Sequence, residues 1–122
     1  MNRVEIIGNL TDDPRVSYTS DQTPCARFTV AVNKGRTAEG KDLGANFIPV
    51  VVWRKLALSC EKHLKKGKKV GICGQLTSGK YESEGRMIYT LDVTAEKIEF
   101  LSPREEAQQT LPGFEPADDL DF

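Results

Sequence analysis

The feature that most limits the fold is a repeated alternation of apolar and polar residues in short segments. In ARFTVAVN, Phe28, Val30 and Val32 share one face, while polar and small residues take the other. This period of two predicts a half-buried strand. Four further segments have strand character: RVEIIGNL, NFIPVVVW, KKVGICGQL and RMIYTLDVTAEKIEFL. The sequence therefore predicts about five strands.

Helical spacing occurs only in RKLALSCEKHLKK, between the third and fourth of these strands. Its apolar stripe consists of Leu56, Ala57, Cys60 and Leu64. No good N-cap residue precedes it, and Gly67 is the expected stop. Strands and helix in this order predict an all-β OB-fold, a five-stranded Greek-key barrel with one helix between strands 3 and 4. Another small antiparallel barrel fits almost as well from the pattern alone.

Two connections between the strands are long. KGRTAEGKDLGA contains three glycines and three cations, which is typical of a flexible finger between two strands. TSGKYESEGR joins the last two strands, where Gly85 permits a tight turn. We predict loops at both places.

The formal net charge of −1 conceals an asymmetry. Residues 1–104 contain all 17 Lys and Arg but only 12 of the 18 Asp and Glu, while residues 105–122 contain six acids and no base. A basic body suits a polyanionic partner, and an acidic end does not. Beyond Pro103 the periodicity stops. We therefore predict a domain over residues 1–102, a disordered linker over 103–117 and an acidic tip over 118–122.

Catalysis and metal binding have little support in the sequence. The three cysteines lack CxxC spacing, which argues against a zinc site or a disulfide framework. A nucleophilic pair of Cys60 and the single histidine, His63, is one alternative, but no third partner is evident. We expect no cofactor, no metal and no enzymatic activity. Without a long apolar run or a signal peptide, we expect a cytoplasmic protein that does not enter a membrane.

Aromatic residues suggest a binding face instead. In NFIPVVVW, Phe47 and Trp53 point the same way, about 20 Å apart at ~3.3 Å per residue. Tyr81 is a third ring, in a polar segment beside Lys80. Rings that stack on bases and cations that follow phosphates are typical of single-stranded nucleic-acid binding. An ordinary role for these rings in a core or an interface fits the spacing equally well.

Several segments of the chain, in their order, resemble the bacterial-type single-stranded DNA-binding protein family (SSB), which also occurs in phages and plasmids. The resemblance lies in NRVEIIGNLTDDPRVSY, FTVAVN, NFIPVVVWRKLALSCEKHLKKGKKVGICGQL and DDLDF. It implies an OB-fold, a homotetramer with a dimer as the other possibility, sequence-independent DNA binding and no catalysis. It also implies that Phe47, Trp53 and Tyr81 are the stacking residues.

The phosphate contacts expected from this resemblance and from the charges are six cations. They are Lys34, Arg36, Arg54, Lys55, Lys80 and Arg86. The family's usual tryptophan at the base of the finger is replaced here by Arg36 or a neighbour, and a guanidinium can stack in part. Pro49 lacks an N–H, so we expect the strand ladder there to be broken, bulged or at an edge.

The acidic tip in this family binds basic pockets on replication, recombination and repair proteins. The resemblance assigns this role to Asp118, Asp119, Leu120, Asp121 and Phe122. We therefore expect a protein that coats and protects single-stranded DNA and recruits partners, near the nucleoid or in the host cytoplasm if a phage encodes it. The alternative is a dimeric OB-fold primosome-type accessory protein with weaker nucleic-acid binding.

Overall fold

The alternating segments form one curved sheet that closes into a barrel. The structure is a computed structural model and describes residues 1–101. Within them lie β1 (Val4–Leu10), β2 (Arg15–Tyr18), β3 (Pro24–Asn33), β4 (Ala45–Trp53), α1 (Arg54–His63), β5 (Lys69–Ser83) and β6 (Arg86–Phe100). The strand order is β1-β5-β6-β4-β3-β2, and an additional pairing of β1 with β3 closes the barrel.

The predicted all-β OB-fold is confirmed, with one short strand added. β2 has four residues and pairs only with β3, so it lies outside the closed barrel of the other five strands. The helix follows the third barrel strand, as expected. All pairings are antiparallel except that of β4 with β6. Among the described residues, no helix is long and apolar enough to cross a membrane.

The core consists mainly of β-branched residues and small side chains. Val30, Val50, Val52, Val70 and Val93 are at most 1% exposed. Burying each valine contributes roughly 1.5–3 kcal/mol. The predicted stripe joins this cluster: Ala57 and Cys60 of the helix and Leu64 just after it are buried, and Leu56 packs against the cluster.

The helix ends earlier than the sequence predicts. It stops at His63, and Leu64 is already extended, although its N–H still donates to the Cys60 carbonyl at 2.9 Å. The residues after the helix form hydrogen bonds to the end of β1 instead: the Gly67 N–H donates to the Leu10 carbonyl at 2.9 Å. Tertiary hydrogen bonds thus replace the last helical turn. The missing side-chain N-cap is as predicted.

The prediction of a loop over TSGKYESEGR is wrong. Thr77–Ser83 continue β5 in unbroken register with β6, from Thr77 opposite Asp92 to Ser83 opposite Arg86. Only Glu84 and Gly85 turn, with φ of 51° and 77°. Two successive positive φ angles are typical of the type I′ turn that matches the twist of a hairpin. Residues 77–92 therefore form a two-stranded extension, which we call the ribbon.

Pro49 lies where a missing N–H removes no hydrogen bond to β3. It is opposite Thr29, whose carbonyl accepts the Thr11 N–H at 3.0 Å on the other side of β3. The backbone polar groups of this pair therefore face away from each other. On its other side β4 pairs with β6 only at Val50 and Val51. Pro49 is thus at an edge, one of the expected arrangements.

Candidate nucleic-acid interface

The register of the sheet places the three predicted stacking residues on one face. Val51 on β4 is beside Thr94 on β6, and Thr94 is opposite Gln75 on β5. Phe47 and Trp53 are an even number of residues from Val51, and Tyr81 is an even number from Gln75. Side chains at even spacing along a strand share a face. We call the side of β4 and the ribbon with Phe47, Trp53 and Tyr81 the aromatic face.

All three rings are accessible to a ligand. Phe47 is 65% exposed, Trp53 39% and Tyr81 55%. Rings that served only to fill the barrel would be buried, as Phe28 is at 6%. Val51, between Phe47 and Trp53, is itself only 6% exposed because strands flank it on both sides. Between the two rings on this face, Val51 is therefore packed into the sheet, whereas Pro49 is exposed.

A cleft lies at the Trp53 end of this face. It has a volume of about 410 Å³ and is lined by Thr19, Ser20, Asp21, Thr23, Trp53 and Arg54. The hydroxyls of Thr19 and Thr23 donate to Asp21 and lower the pKa of its exposed carboxyl. Arg54 has a φ of 64°, which turns the chain directly from β4 into α1. Its exposed side chain lines the cleft beside the Trp53 ring.

The finger of residues 34–44 has more internal bonding than a flexible loop. Arg36 pairs with Asp42 as an isolated bridge, and its guanidinium donates to the Gly40 carbonyl at 3.1 Å. The Lys34 N–H donates to the Gly44 carbonyl at 2.9 Å. Lys34 and Arg36 are both exposed. The finger therefore presents these predicted phosphate contacts from a bonded hairpin next to the start of β4.

The other predicted cations lie in different places: one on each face of the ribbon, and the rest at the start of the helix. Arg86 is opposite Ser83, an even number of residues from Tyr81, so it lies on the aromatic face. Lys80 is opposite Tyr89 and lies on the reverse face of the ribbon. Lys55 is exposed at the start of α1, next to Arg54.

Sequence reasoning missed two further cations. Arg27 on β3 is opposite Val51, so it lies on the aromatic face between Phe47 and Trp53. Arg15 on β2 is in turn opposite Arg27. The alternation of ARFTVAVN already placed Arg27 on the polar face of its strand. The polar face of β3 continues the aromatic face of β4 because the two strands are neighbours in the sheet, which the sequence alone did not show.

The structure gives no support to the Cys60 and His63 alternative. Cys60 is fully buried, and burial raises the pKa of its thiol to about 12. A thiol with that pKa is almost entirely protonated at neutral pH and is a poor nucleophile. His63 is exposed, with its ring 5.5 Å from that of Phe100. Within residues 1–101 no cluster of His, Cys, Asp and Glu could hold a metal ion.

The remaining predicted site residues cannot be placed. The tip, Asp118 to Phe122, and the linker over 103–117 lie outside the described residues.

Comparison with known proteins agrees with the fold. Residues 1–101 match the model of the single-strand binding protein family. The chain is 39% identical over 105 residues to the single-stranded DNA-binding protein of Caldanaerobacter subterraneus subsp. tengcongensis, covering 85% of this chain and 70% of that protein. It is 41% identical to single-stranded DNA-binding protein 2 of Listeria innocua, covering 88% and 69%. Single-stranded DNA-binding protein 1 of Streptococcus pyogenes is 35% identical, covering 100% and 99%.

Proposed function

The chain belongs to the single-strand binding protein family, and on that premise we propose that it coats and protects single-stranded DNA in replication, recombination and repair without reading its sequence. The observation that best supports this is the set of exposed rings on the aromatic face: Phe47, Trp53 and Tyr81. Bases stack on such rings whatever their identity, at ~1–3 kcal/mol each. Since the backbone is also uniform, neither contact distinguishes one sequence from another.

The test uses the only tryptophan of the chain, Trp53. Titration with oligo-dT quenches its emission if a base stacks on the indole, and duplex DNA of equal length serves as the comparison. Alanine at Phe47, Trp53 or Tyr81 weakens binding by ~1–3 kcal/mol each. Tyr18→Ala is the matched control, because Tyr18 is also 55% exposed but lies on the opposite face of β2 from Arg15. Unchanged Trp53 emission at saturating oligo-dT contradicts this stacking assignment.

Partner recruitment is a separate part of the proposal. We assign it to the acidic tip, residues 118–122, whose aspartates suit Lys and Arg and whose Phe122 suits a small apolar cavity. The partners are replication, recombination and repair proteins with a basic pocket. The support is the sequence of the tip and the charge asymmetry of the chain. We propose that these encounters occur in the cytoplasm, at the nucleoid.

We also propose that the working unit is a homotetramer. One free edge in the barrel supports self-association: Val4–Ile7 of β1 pair with β5 on one side, whereas β1 meets β3 only at Asn9 and Leu10. Ile7 on this stretch is 57% exposed. An exposed strand edge with an apolar residue is a template for pairing with another chain. Light scattering measures the assembly directly, and a monomer contradicts the proposal.

Binding without catalysis completes the proposed function. The family match concerns DNA-binding proteins, and the buried, protonated Cys60 thiol is unsuited to nucleophilic attack. Substituting both Cys60 and His63 should therefore leave oligo-dT affinity unchanged. Turnover of a nucleic-acid substrate by the unmodified protein is the result that contradicts this part.

A further inference from the structure

Two arginines are directly opposite each other in the sheet. Arg15 on β2 and Arg27 on β3 form a register pair and are both exposed. In an antiparallel pair the Cβ atoms of opposite residues are about 4.5–5.5 Å apart, and like charges at that position are destabilising. The arrangement therefore has a cost in the free protein.

Within residues 1–101 neither arginine has a carboxylate at ion-pair distance. The one ion pair in that range joins Arg3 to Glu5. Neither the Arg15 nor the Arg27 guanidinium forms a hydrogen bond to another described residue. Two guanidinium groups thus present their donors to solvent from neighbouring strands. A pair of this kind is suited to an external polyanion with one phosphate for each guanidinium.

The position of the pair indicates which anion that is. Arg27 is beside Val51, which lies between the two rings on β4, four residues from Phe47 and two from Trp53. Arg15 continues the same row one strand further from the rings, about 4.8 Å away. If bases stack on both rings, the sugar–phosphate backbone that joins them passes to one side of β4. The β3 side of β4 is where these two cations lie.

We propose that Arg15 and Arg27 bind the phosphodiester backbone of single-stranded DNA between the bases stacked on Phe47 and Trp53. This inference rests on the proposed function and adds to it the path of the backbone. Arginine is suited to this contact because its planar fork donates two parallel hydrogen bonds to one phosphate. The phosphate charge removes the repulsion that the free protein retains.

The test compares the full chain with Arg15→Gln, Arg27→Gln and the double variant. Binding of labelled oligo-dT is followed by anisotropy from low to high salt. Each substitution lowers the log–log salt slope by ~0.7, and the double variant by ~1.4. At low salt each weakens binding roughly tenfold or more. Lys97→Gln is the control for the loss of one positive charge, because Lys97 is exposed near the far end of β6, beside Cys73.

A second ligand separates phosphate contact from other causes. Oligo-dT with an uncharged methylphosphonate backbone binds the wild-type protein and the double variant equally well. A further signature is the melting temperature without DNA, which rises at low salt when either arginine is replaced, because the repulsion is relieved.

Several results overturn the inference. One is an unchanged salt slope in the double variant. Another is an equal loss of affinity for the charged and the uncharged oligomer, since the arginines then act on the fold or on the bases. A variant whose oligomeric state changes in light scattering identifies the pair as a protein interface, which also overturns it. Failure of the wild-type protein to bind oligo-dT counts instead against the proposed function.

Discussion

At the residue scale, two glycines set how closely the barrel strands approach each other. A Cβ at Gly74 would be 2.0 Å from the Thr94 carbonyl oxygen, and one at Gly8 would be 2.3 Å from that of Ala31. Both obstacles are backbone atoms, which cannot move aside as the end of a side chain can. Gly74 also adjoins the register shift between Cys73 and Gly74 in the pairing of β5 with β6. Glycine is required at both positions because the neighbouring strand lies so close. Backbone conformation is not the reason, since neither residue has a positive φ.

The first prediction is that Gly74→Ala lowers the free energy of unfolding by ~1–3 kcal/mol or more, because the added methyl group forces β5 and β6 apart. Urea denaturation followed by circular dichroism measures it. Gly71→Ala is the matched control, because its added Cβ would be 3.5 Å from the nearest atom, a side-chain carbon of Leu101. Equal stability of the two variants contradicts the prediction.

At the scale of elements, the ribbon pairs with no strand outside itself. β1 pairs with β5 only as far as Gly74, and β4 pairs with β6 only at Val93 and Thr94. Residues 77–92 therefore hydrogen-bond along the strands only to each other. An isolated two-stranded hairpin is marginally stable in water. The ribbon nevertheless presents Tyr81 on the aromatic face, which is consistent with a binding role rather than a structural one.

The second prediction follows from this independence. Replacing residues 79–90 by a two-residue Asn-Gly turn should leave the barrel folded, with little change in the free energy of unfolding. Binding of oligo-dT weakens by at least the ~1–3 kcal/mol of one stacking contact, because Tyr81 is lost.

Comparison with Tyr81→Ala in the full-length ribbon shows how much of that loss belongs to the ring. Circular dichroism and the oligo-dT titration are the two measurements. A shortened protein that unfolds, or one that retains full affinity, is the contrary result.

At the scale of the whole molecule, opposite charges are separated along the chain. The 17 cations all precede residue 105, and six acids follow with no base among them. An acidic segment attached to a DNA-binding domain competes with phosphate for its basic surface, most strongly at low salt. The proposed DNA-binding and partner-binding regions therefore have opposite charges, and we expect mutation to separate the two roles.

The third prediction concerns the tip. Removing residues 118–122 should leave folding and assembly intact and should not weaken binding of oligo-dT. At low salt it should strengthen binding, because the anionic segment that competes with DNA loses three aspartates. Paired titrations of the truncated and full chains, one with oligo-dT and one with a basic partner protein, provide the measurement.

Within the tip, Phe122→Ala should remove most of the affinity for a partner, since it deletes the aromatic group but keeps the three aspartates. Asp121→Asn is the comparison and should cost less, in a salt-dependent way. Loss of oligo-dT binding with retention of partner binding is the outcome that contradicts this division of roles.

The sequence by itself determined five strand segments, the helix and, within those segments, the side on which each residue lies. These follow from local periodicity, because a residue's face depends on its parity within its own strand. That is why Phe47 and Trp53 were correctly placed on a shared face and Ile48, Val50 and Val52 on the core side. Alternation also predicted that Arg27 points away from the core. The resemblance to a known family added the role of the rings, which parity alone left open.

Only the tertiary structure decided which faces of different strands join. The register of β4 with β6 and of β6 with β5 places Tyr81 beside the β4 rings and turns Lys80 to the reverse side. The register of β3 with β2 and β4 brings Arg15 and Arg27 to the same surface. Such pairings join residues far apart in the chain, so no local pattern contains them. The same reason explains the early end of α1, where bonds to Leu10 replace a helical turn that the local sequence favours.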